Sequence, residues 1–568
     1  MEDADLSAAE LWLAHDPDPA DRAELRALLD ASAAGDQRAR QEVADRMASP
    51  LSFGTAGLRG AMAAGSNRMN TAVVTTASAG LAAVLKSEVG SGFKVVVGYD
   101  ARHRSADFAR TAAGVFVAAG GEVYVMPRPL PTPLTAFAIR RLEADAAVMV
   151  TASHNPAADN GYKVYVGGRM TDQAVRGAQI VPPMDAQIES AIRAVGWADE
   201  VAVADQGWTA LSDSIVEDYL AATLATRDER LDLSELRIVL TAMHGVGYDV
   251  CEQLLQRAGV GEVIAVEAQR DPDPDFTTVS FPNPEEAGAL DLAFETAQQA
   301  DADLIIALDP DADRCAVAIV SPQAKVGWRQ LSGDELGGLL GEFMAQRLEG
   351  QLSGPPRSLA RSIVSSSLLD SIADRHGLPA EQTLTGFKWI ARATNIGYGY
   401  EEAIGYCVNP EVVKDKDGIS TALLAAQLAA QTKAARLSMQ DRLDALAMTH
   451  GLHATAPLTF RVDELSKISD GLQRLKTNPP VELAGSPVIE FADLADGWRG
   501  LPPTPGFRIE TEASDRIIVR PSGTEPKLKC YLEVVESVTT TIELAAARER
   551  TAQRLAQISE QLREILGF

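Results

Sequence analysis

Four short apolar runs, each ending in a polar loop, restrict this chain more than any other feature: Lys94-Val-Val-Val-Gly98, Ala146-Ala-Val-Met-Val150, Arg237-Ile-Val-Leu-Thr241 and Asp303-Leu-Ile-Ile-Ala-Leu308. Runs of this length fit buried strands. A helical stretch from Thr71 through Val84 leads into the first, and helical stretches separate the others, among them one from Ala106 to Ala119 and one through Leu255. Short apolar runs alternating with helices predict largely parallel sheets, with ligands received at the carboxyl ends of the strands.

The same strand-loop-helix module recurs. One copy spans about Thr71 to Asp205, a second follows a boundary near Ala204 to Ser212, and a third runs from about Gly327 to Ala447, with strand-like Ser362-Ile-Val364. No repeat is visible residue by residue. Before them, Met1 to Pro50 reads as helical, with Asp18-Pro19 as cap and first turn and Leu25, Leu28 and Leu29 at helical spacing. After them, strands Arg516 to Arg520 and Cys530 to Val535 precede a terminal helix carrying Leu555, Ile558, Leu562 and Ile565 on one face. The expected division is 1–50, 51–205, 206–325, 326–447 and 448–568.

A formal net charge of -27 argues against nucleic acid or an anionic membrane as the main partner, because both need a basic footprint. No apolar run is read as long enough to span a bilayer, and the first residues lack a basic-then-apolar signal. Cys251, Cys315, Cys407 and Cys530 show no metal spacing, which suits a reducing compartment, and the cytoplasm is the expected location.

The chemistry gathers around Thr151-Ala-Ser-His-Asn-Pro156, where a turn after a buried strand lifts the Ser153 hydroxyl out. Taken alone the peptide is also good turn chemistry. Its company favours a phosphoryl-carrying serine. The glycine-punctuated loop Leu51 to Gly60 presents one cation, Arg59, which suits a phosphate or belongs to a plain connection. Lys163 follows the serine closely enough to bring an ammonium to it. In Asp309-Pro-Asp-Ala-Asp-Arg314, three carboxylates alternate along an extended loop and can converge on one hard cation. An EF-hand fails here, with Arg314 at position six and Val320 at position twelve, so the choice lies between a Mg²⁺ site and a solvated acidic turn. Arg520-Pro-Ser-Gly-Thr524 offers a guanidinium, two hydroxyls and backbone amides for a phosphate dianion, or simply joins two strands. Glu401 and Glu402 can accept hydrogen bonds from sugar hydroxyls or form a solvated turn. No G-x-S-x-G, Walker A or G-x-G-x-x-G pattern is present, so three common α/β enzyme classes lack their main sign.

These loops, in this order, resemble the α-D-phosphohexomutase superfamily from Phe53 to Tyr531. TASHNP is similar to its phosphoserine loop, DPDADR to its magnesium loop, GYEEAIG to its sugar-recognition loop and RPSGT to its phosphate-binding loop. FGTAGLRG and TGFKWI are similar to the branch that holds bacterial phosphoglucomutases and phosphomannomutases and animal phosphopentomutase-type enzymes. The resemblance implies an α/β fold: three related α/β domains with mainly parallel mixed sheets, plus a smaller C-terminal α+β domain, around one cleft. It implies Ser153 as the phosphorylated nucleophile, whose phosphate joins Asp309, Asp311 and Asp313 in holding one Mg²⁺, with Arg59, His154, Lys163 and Arg314 around the transferring group. It further implies Glu401, with Glu402 beside it, on the sugar hydroxyls, and Arg520, Ser522, Gly523 and Thr524 on the other phosphate. Gly386, Lys388 and Lys416 are further substrate contacts. The implied activity interconverts hexose 1- and 6-phosphates of glucose and/or mannose, with a sugar 1,6-bisphosphate as intermediate and activator. The alternatives are a phosphopentomutase and a Ser-dependent sugar phosphatase. One departure bears on that choice: many relatives carry Ser where this chain has Ala403, which leaves one hydrogen bond to the sugar open.

Overall fold

In the computed structural model, which describes residues 2–54, 57–350, 354–522 and 527–568, the expected buried strands are present. The chain forms two compact units. The first comprises Met1–Ala318, Ala324–Trp328 and Gly405–Ala430, and the second Ile319–Gln323, Arg329–Ile404 and Gln431–Phe568.

The first unit opens with helices Glu2–His15, Pro19–Ala33 and Gln37–Met47. Asp18 caps the second of these by accepting the Ala20 N–H at 2.9 Å, worth about 1 kcal/mol. Leu25 and Leu29 are buried with Ala9, Leu13 and Val43, and Leu28 packs at the edge of that cluster.

Beyond these helices, one topology is used three times. Strands Lys94–Tyr99, Glu122–Val125 and Ala146–Val150 form a sheet in which the first lies between the third and the second, all parallel. Arg237–Thr241, Glu262–Ala265 and Leu304–Leu308 repeat that order. In the second unit, so do Ser358–Ser362, Ala380–Thr383 and Ile396–Glu401. This placement makes the loops after the first and third strands of each module neighbours at a topological switch point, where open α/β sheets receive ligands. In the first two modules an antiparallel strand then returns beside the third, Asp159–Val166 against Ala146–Val150 and Cys315–Val320 against Leu304–Leu308. The sheets are thus mixed but mainly parallel. Ala146–Val150 and Leu304–Leu308 are buried at every position, each large aliphatic side chain contributing about 1.5–3 kcal/mol.

Two local expectations are corrected. Ile363 and Val364 are outside a strand; they lie in the loop after Ser358–Ser362 and are buried with Leu494 and Ile518. Phe387–Ile390 is a one-turn helix instead of loop, entered through Gly386 at φ 102°, a conformation that glycine adopts without strain. A third correction concerns hydropathy. Helix Thr71–Val89, with mean hydropathy 1.3, has the length and composition to cross a bilayer. It is a core helix: a Cβ added at Gly80 would lie 2.7 Å from the Ile192 backbone nitrogen, so helix Met184–Ala194 packs directly on it.

The C-terminal part of the second unit is α+β. Its antiparallel sheet runs in the order Leu452–Arg461, Lys527–Glu536, Arg516–Pro521, Phe507–Thr511, Ser486–Asp493, Glu482–Leu483. Helix Thr541–Leu566 buries Leu555, Ile558 and Leu562 against it, with Ile565 at the margin.

Candidate active site

Ser153 leaves the carboxyl end of Ala146–Val150 on a turn that feeds Asp159–Val166. Its φ of 52° lies in the left-handed region, which L residues occupy only when their surroundings enforce it. Three things enforce it here. Thr151 Oγ1 accepts the Ser153 N–H at 2.9 Å. Gly161 lets the return strand approach so closely that a Cβ would fall 2.6 Å from the Thr151 oxygen. The guanidinium of Arg102 donates to the carbonyl oxygens of Ser153 at 2.6 Å, Asn155 at 2.5 Å, Pro156 at 2.8 Å and Asp159 at 3.2 Å.

The Ser153 hydroxyl donates to Asp309 Oδ2 at 2.7 Å, which joins the third-strand loops of two modules. The Asp309 loop is a tight turn instead of an extended segment: the Ala312 N–H returns to the Asp309 oxygen at 2.8 Å, and Ala312 itself has φ 53°. Gly245 sits so near that a Cβ there would lie 2.4 Å from the Pro310 Cα. Thr132 grips the turn from the Pro-rich segment, its N–H donating to the Asp311 oxygen at 2.9 Å and its hydroxyl to Asp311 Oδ2 at 2.6 Å.

Asp309, Asp311 and Asp313 are buried, and their ligand atoms lie within 4.8 Å of one another. Like charges that close in a dry site repel strongly. Lys163 offsets part of this, with Nζ 2.7 Å from Asp311 Oδ2 and 2.8 Å from Asp313 Oδ2, and Lys416 Nζ lies 3.1 Å from Asp313 Oδ2. Among the described residues, Asp311 Oδ1 and Asp313 Oδ1 are buried without a hydrogen-bond donor. Two orphaned carboxylate oxygens facing a third carboxylate fit a hard divalent cation, so the trio can hold a metal ion. Burial and the neighbouring Asp311 and Asp313 carboxylates push Asp309 well above the ordinary carboxylate range. Burial acts the same way on Asp313, but Lys163, Lys416 and Arg314 outweigh it and hold that group far down.

The other cations surround the serine. Arg314 Nη1 donates to His154 Nδ1 at 2.7 Å, while its backbone N–H donates to Asp309 Oδ1 at 3.0 Å. His154 Nδ1 is also 3.3 Å from Ser153 Oγ. Burial, with the Arg314 and Arg59 guanidiniums, holds His154 well below the usual imidazole range, so the ring is neutral and Nδ1 is an acceptor. Arg59, expected in a loop, lies instead on strand Gly57–Ala61, which pairs antiparallel with Asp159–Val166, and its Nη1 donates to Asn155 Oδ1 at 3.2 Å. The structure therefore brings Ser153, His154, Arg59, Lys163, Arg314 and the three aspartates together. It also places Lys416, expected as a substrate contact, at the carboxylate trio, where Gln179 orients its neighbour Asp415 with a 2.8 Å hydrogen bond.

In the second unit, Glu401 is the last residue of strand Ile396–Glu401 and is buried. Glu402 Oε2 accepts from Ser362 Oγ at 3.2 Å and Ser365 Oγ at 3.0 Å, again joining first- and third-strand loops of one module. Burial, then the Glu401 and Asp334 carboxylates, push Glu402 up to about 7. Lys388 is buried on the one-turn helix after Gly386, its ammonium 5.6 Å from the Trp389 ring centre. Arg520 donates to Thr385 Oγ1 at the start of the same segment. The Ser522 N–H closes the hairpin on the Lys527 oxygen at 2.8 Å, and Gly523 and Thr524 lie outside the described residues.

Sequence reasoning missed Arg102, Thr132, Ser362 and Ser365. Arg102, Thr132 and Ser365 lie in polar or Pro-rich segments after a strand of their module, Ser362 is the last residue of strand Ser358–Ser362, and position at a strand end was the available signal.

A serine hydroxyl seated on a metal-competent carboxylate trio, ringed by guanidinium and ammonium groups at strand ends of paired α/β modules, is the apparatus of a phosphotransfer enzyme. Comparison with known proteins specifies it further. Models of the phosphoglucomutase/phosphomannomutase α/β/α domains I, II and III match residues 50–198, 217–321 and 332–447, and the model of the C-terminal domain matches 460–550. The chain belongs to the phosphoglucomutase/phosphomannomutase family, within the α-D-phosphohexomutase superfamily, and is a phosphomutase. It is 41% identical to a probable phosphomannomutase of Haemophilus influenzae over 82% of this chain and 93% of that one. It is 34% identical to the phosphopentomutase of Mus musculus over 92% and 89%, and 32% identical to a phosphoglucomutase of Staphylococcus epidermidis over 87% and 92%. A crystal structure of a putative phosphomannomutase from Thermus thermophilus shares the fold with a TM-score of 0.67 at 23% identity, covering 89% of this chain and 99% of that one.

Proposed function

We propose that this phosphomutase interconverts hexose 1-phosphate and hexose 6-phosphate, of glucose and/or mannose, through phospho-Ser153 and an enzyme-bound hexose 1,6-bisphosphate. The observation that carries the reading is the 2.7 Å bond from Ser153 Oγ to Asp309, inside a trio of carboxylates with two orphaned oxygens. The relative named a probable phosphomannomutase and the one named a phosphoglucomutase support the choice of hexose.

In the forward half-reaction, the free sugar hydroxyl attacks phosphorus on Ser153 and gives its proton to the neutral His154 ring, since Lys163 is held as an ammonium by Asp311 and Asp313 and has no room for a further proton. The bond from Ser153 Oγ to phosphorus breaks, and Oγ takes the proton back from His154, whose Nδ1 lies 3.3 Å away, to become the hydroxyl that donates to Asp309. Arg59, Arg314 and Lys163 supply donors and charge for the equatorial oxygens, which is most of what phosphoryl transfer asks of a protein. Asp309, Asp311 and Asp313 would hold Mg²⁺, which when bound supplies positive charge to those oxygens. The return half-reaction is the reverse, run on the other phosphate of the bisphosphate, with Glu401 on sugar hydroxyls and Arg520, Ser522, Gly523 and Thr524 on the phosphate not being transferred. Four buried free cysteines suit the reducing cytoplasm as its location.

Intact mass decides the mechanism. Incubation with glucose 1,6-bisphosphate and Mg²⁺ is expected to add one phosphoryl group to the wild type and none to Ser153→Ala; a wild type that never carries the group overturns the reading. Phosphopentomutase activity is a second reading, favoured by the mouse relative of that name, while Ala403 in the sugar loop leaves one hydrogen bond to the sugar open. Turnover of glucose 1-phosphate, mannose 1-phosphate and ribose 1-phosphate compared side by side separates the two. Net release of inorganic phosphate would instead mark a phosphatase.

A further inference from the structure

The turn Asp100–Ser105, after the first strand of the first module, has no part in the chemistry above, yet it carries an unusual concentration of bonds. Arg102 is 4% exposed and spends its guanidinium on four carbonyl oxygens of one neighbouring loop, the loop that bears Ser153. The same turn is fastened to the base of that loop a second time, where Asn160 Nδ2 donates to the His103 oxygen at 2.9 Å and to Ser105 Oγ at 2.9 Å. Asp100 organises the turn from within, accepting the Arg102 N–H at 3.0 Å and the Ser105 hydroxyl at 2.6 Å.

Its other side is held by the N-terminal helices. Arg104, at φ 63°, donates to Asp21 Oδ1 at 2.7 Å and Oδ2 at 2.8 Å, to Asp18 Oδ2 at 2.8 Å and to Thr71 Oγ1 at 3.0 Å. Asp18 and Asp21 belong to the segment before residue 50, where the first family model begins. A planar fork of donors is suited to gathering several carbonyls at once, and a lysine in its place can satisfy fewer of them from one point.

We propose that Asp100–Ser105 is a bracket that fixes the Ser153 backbone in its left-handed conformation, with Arg102 as the positioning residue and the N-terminal helices as its anchor through Arg104. The bonds of the bracket go to the backbone of the Ser153 loop, to Asn160 and to the N-terminal segment, and it acts by setting where Oγ stands relative to Asp309. It rests on Ser153 as the nucleophile only for its kinetic consequence, and the backbone restraint is independent of that assignment.

The test uses the full chain and the variants Arg102→Met, Arg102→Lys and the double variant Asp18→Asn/Asp21→Asn. Amide hydrogen exchange is read across residues 151–159, and Ser153 phosphorylation by glucose 1,6-bisphosphate is timed by intact mass. Arg102→Met is expected to raise exchange in 151–159 and slow loading about 100-fold with KM within about threefold, since displacing a reacting atom by about 1 Å costs a factor of that order. Added guanidinium is expected to restore part of the rate. Arg102→Lys should fall between, and the double variant should raise exchange in 151–159 with a several-fold slower loading. Exchange in 151–159 unchanged in Arg102→Met overturns the bracket, and so does a rate loss that follows a lowered unfolding midpoint and does not respond to guanidinium. Exchange unchanged in the double variant overturns the anchor. A wild type that takes up no phosphoryl group removes the mutase reading, while the exchange measurements still decide the bracket.

Discussion

Lys163 Nζ stands 2.7 Å from Asp311 Oδ2 and 2.8 Å from Asp313 Oδ2, so one ammonium is shared between two members of a buried carboxylate trio. Burial alone would pull the lysine down, but Asp311 and Asp313 hold its ammonium above the ordinary range. Removing one partner of a buried pair leaves an uncompensated charge, at a cost of about 3–5 kcal/mol. Lys163→Met is therefore expected to destabilise the first unit by about 3 kcal/mol in a chelator, and by clearly less in Mg²⁺, where the metal takes over the neutralisation. Denaturant unfolding of the first unit with and without Mg²⁺ checks this; an equal loss in both conditions contradicts it.

The orphaned Asp311 Oδ1 and Asp313 Oδ1 make a related prediction for the wild type. A ligand that binds only the folded state adds about 2.7 kcal/mol at a hundred times its dissociation constant. Thermal unfolding should move upward with Mg²⁺ concentration, and Asp311→Asn should remove most of that dependence. An unchanged midpoint across Mg²⁺ concentrations in the wild type would mean that the trio is balanced by Lys163, Lys416 and Arg314 without a metal ion.

Much of this centre is legible in the sequence because buried strands leave a clear sign. Ala146–Val150 and Leu304–Leu308 are apolar throughout, and polar loops begin directly after them, so Ser153 and Asp309 are placed at strand ends by pattern alone. The third module is harder to read. Its first strand, Ser-Leu-Ala-Arg-Ser, hides a charged residue, Arg361, which is buried by pairing with Asp370 at 2.5 Å, while the apolar Ile363 and Val364 that imitate a strand serve a different cluster. Arg102 is illegible for a related reason. A loop arginine looks alike whether it faces water or gathers four carbonyls, and only tertiary placement distinguishes the two. The threefold recurrence of strand order is likewise carried by hydrogen bonding between strands and leaves no repeat in residue identity.

Glu402 predicts a pH effect on stability. Its carboxyl is pushed up to about 7 by burial and by Glu401 and Asp334, from an ordinary value of 4.5. The folded second unit thus holds this proton more tightly than the unfolded chain does. The resulting stabilisation is full below about pH 4.5 and is lost as pH rises through about 7. Glu402→Gln keeps a neutral group of the same shape, so it should match the wild type near pH 5 and exceed it near pH 8, by about 2 kcal/mol after allowance for partial exposure. Unfolding of the two proteins at both pH values tests the sign; a variant less stable than the wild type at pH 8 would show that the carboxylate form is the one Ser362 and Ser365 are built to hold.

Ala403 offers the most direct handle on the sugar. It lies in the turn Glu402–Ile404, one residue after Glu402 and two after Glu401, and its methyl group can neither donate nor accept a hydrogen bond. A hydroxyl at this position can add one hydrogen bond to a bound sugar, worth about 1 kcal/mol net, or roughly fivefold in rate. If the natural substrate is a hexose phosphate already matched to Ala403, Ala403→Ser should change kcat/KM for glucose 1-phosphate and mannose 1-phosphate by less than about threefold. If the turn is instead fitted to a pentose, Ala403→Ser should raise kcat/KM for the hexose phosphates about fivefold while leaving ribose 1-phosphate level or lower. We expect the first pattern, with hexose turnover faster than ribose 1-phosphate turnover in the unmodified chain. Steady-state kinetics on the three sugar phosphates with both proteins decides it, and a wild type that prefers ribose 1-phosphate, together with a hexose gain in the variant, assigns the enzyme to pentoses.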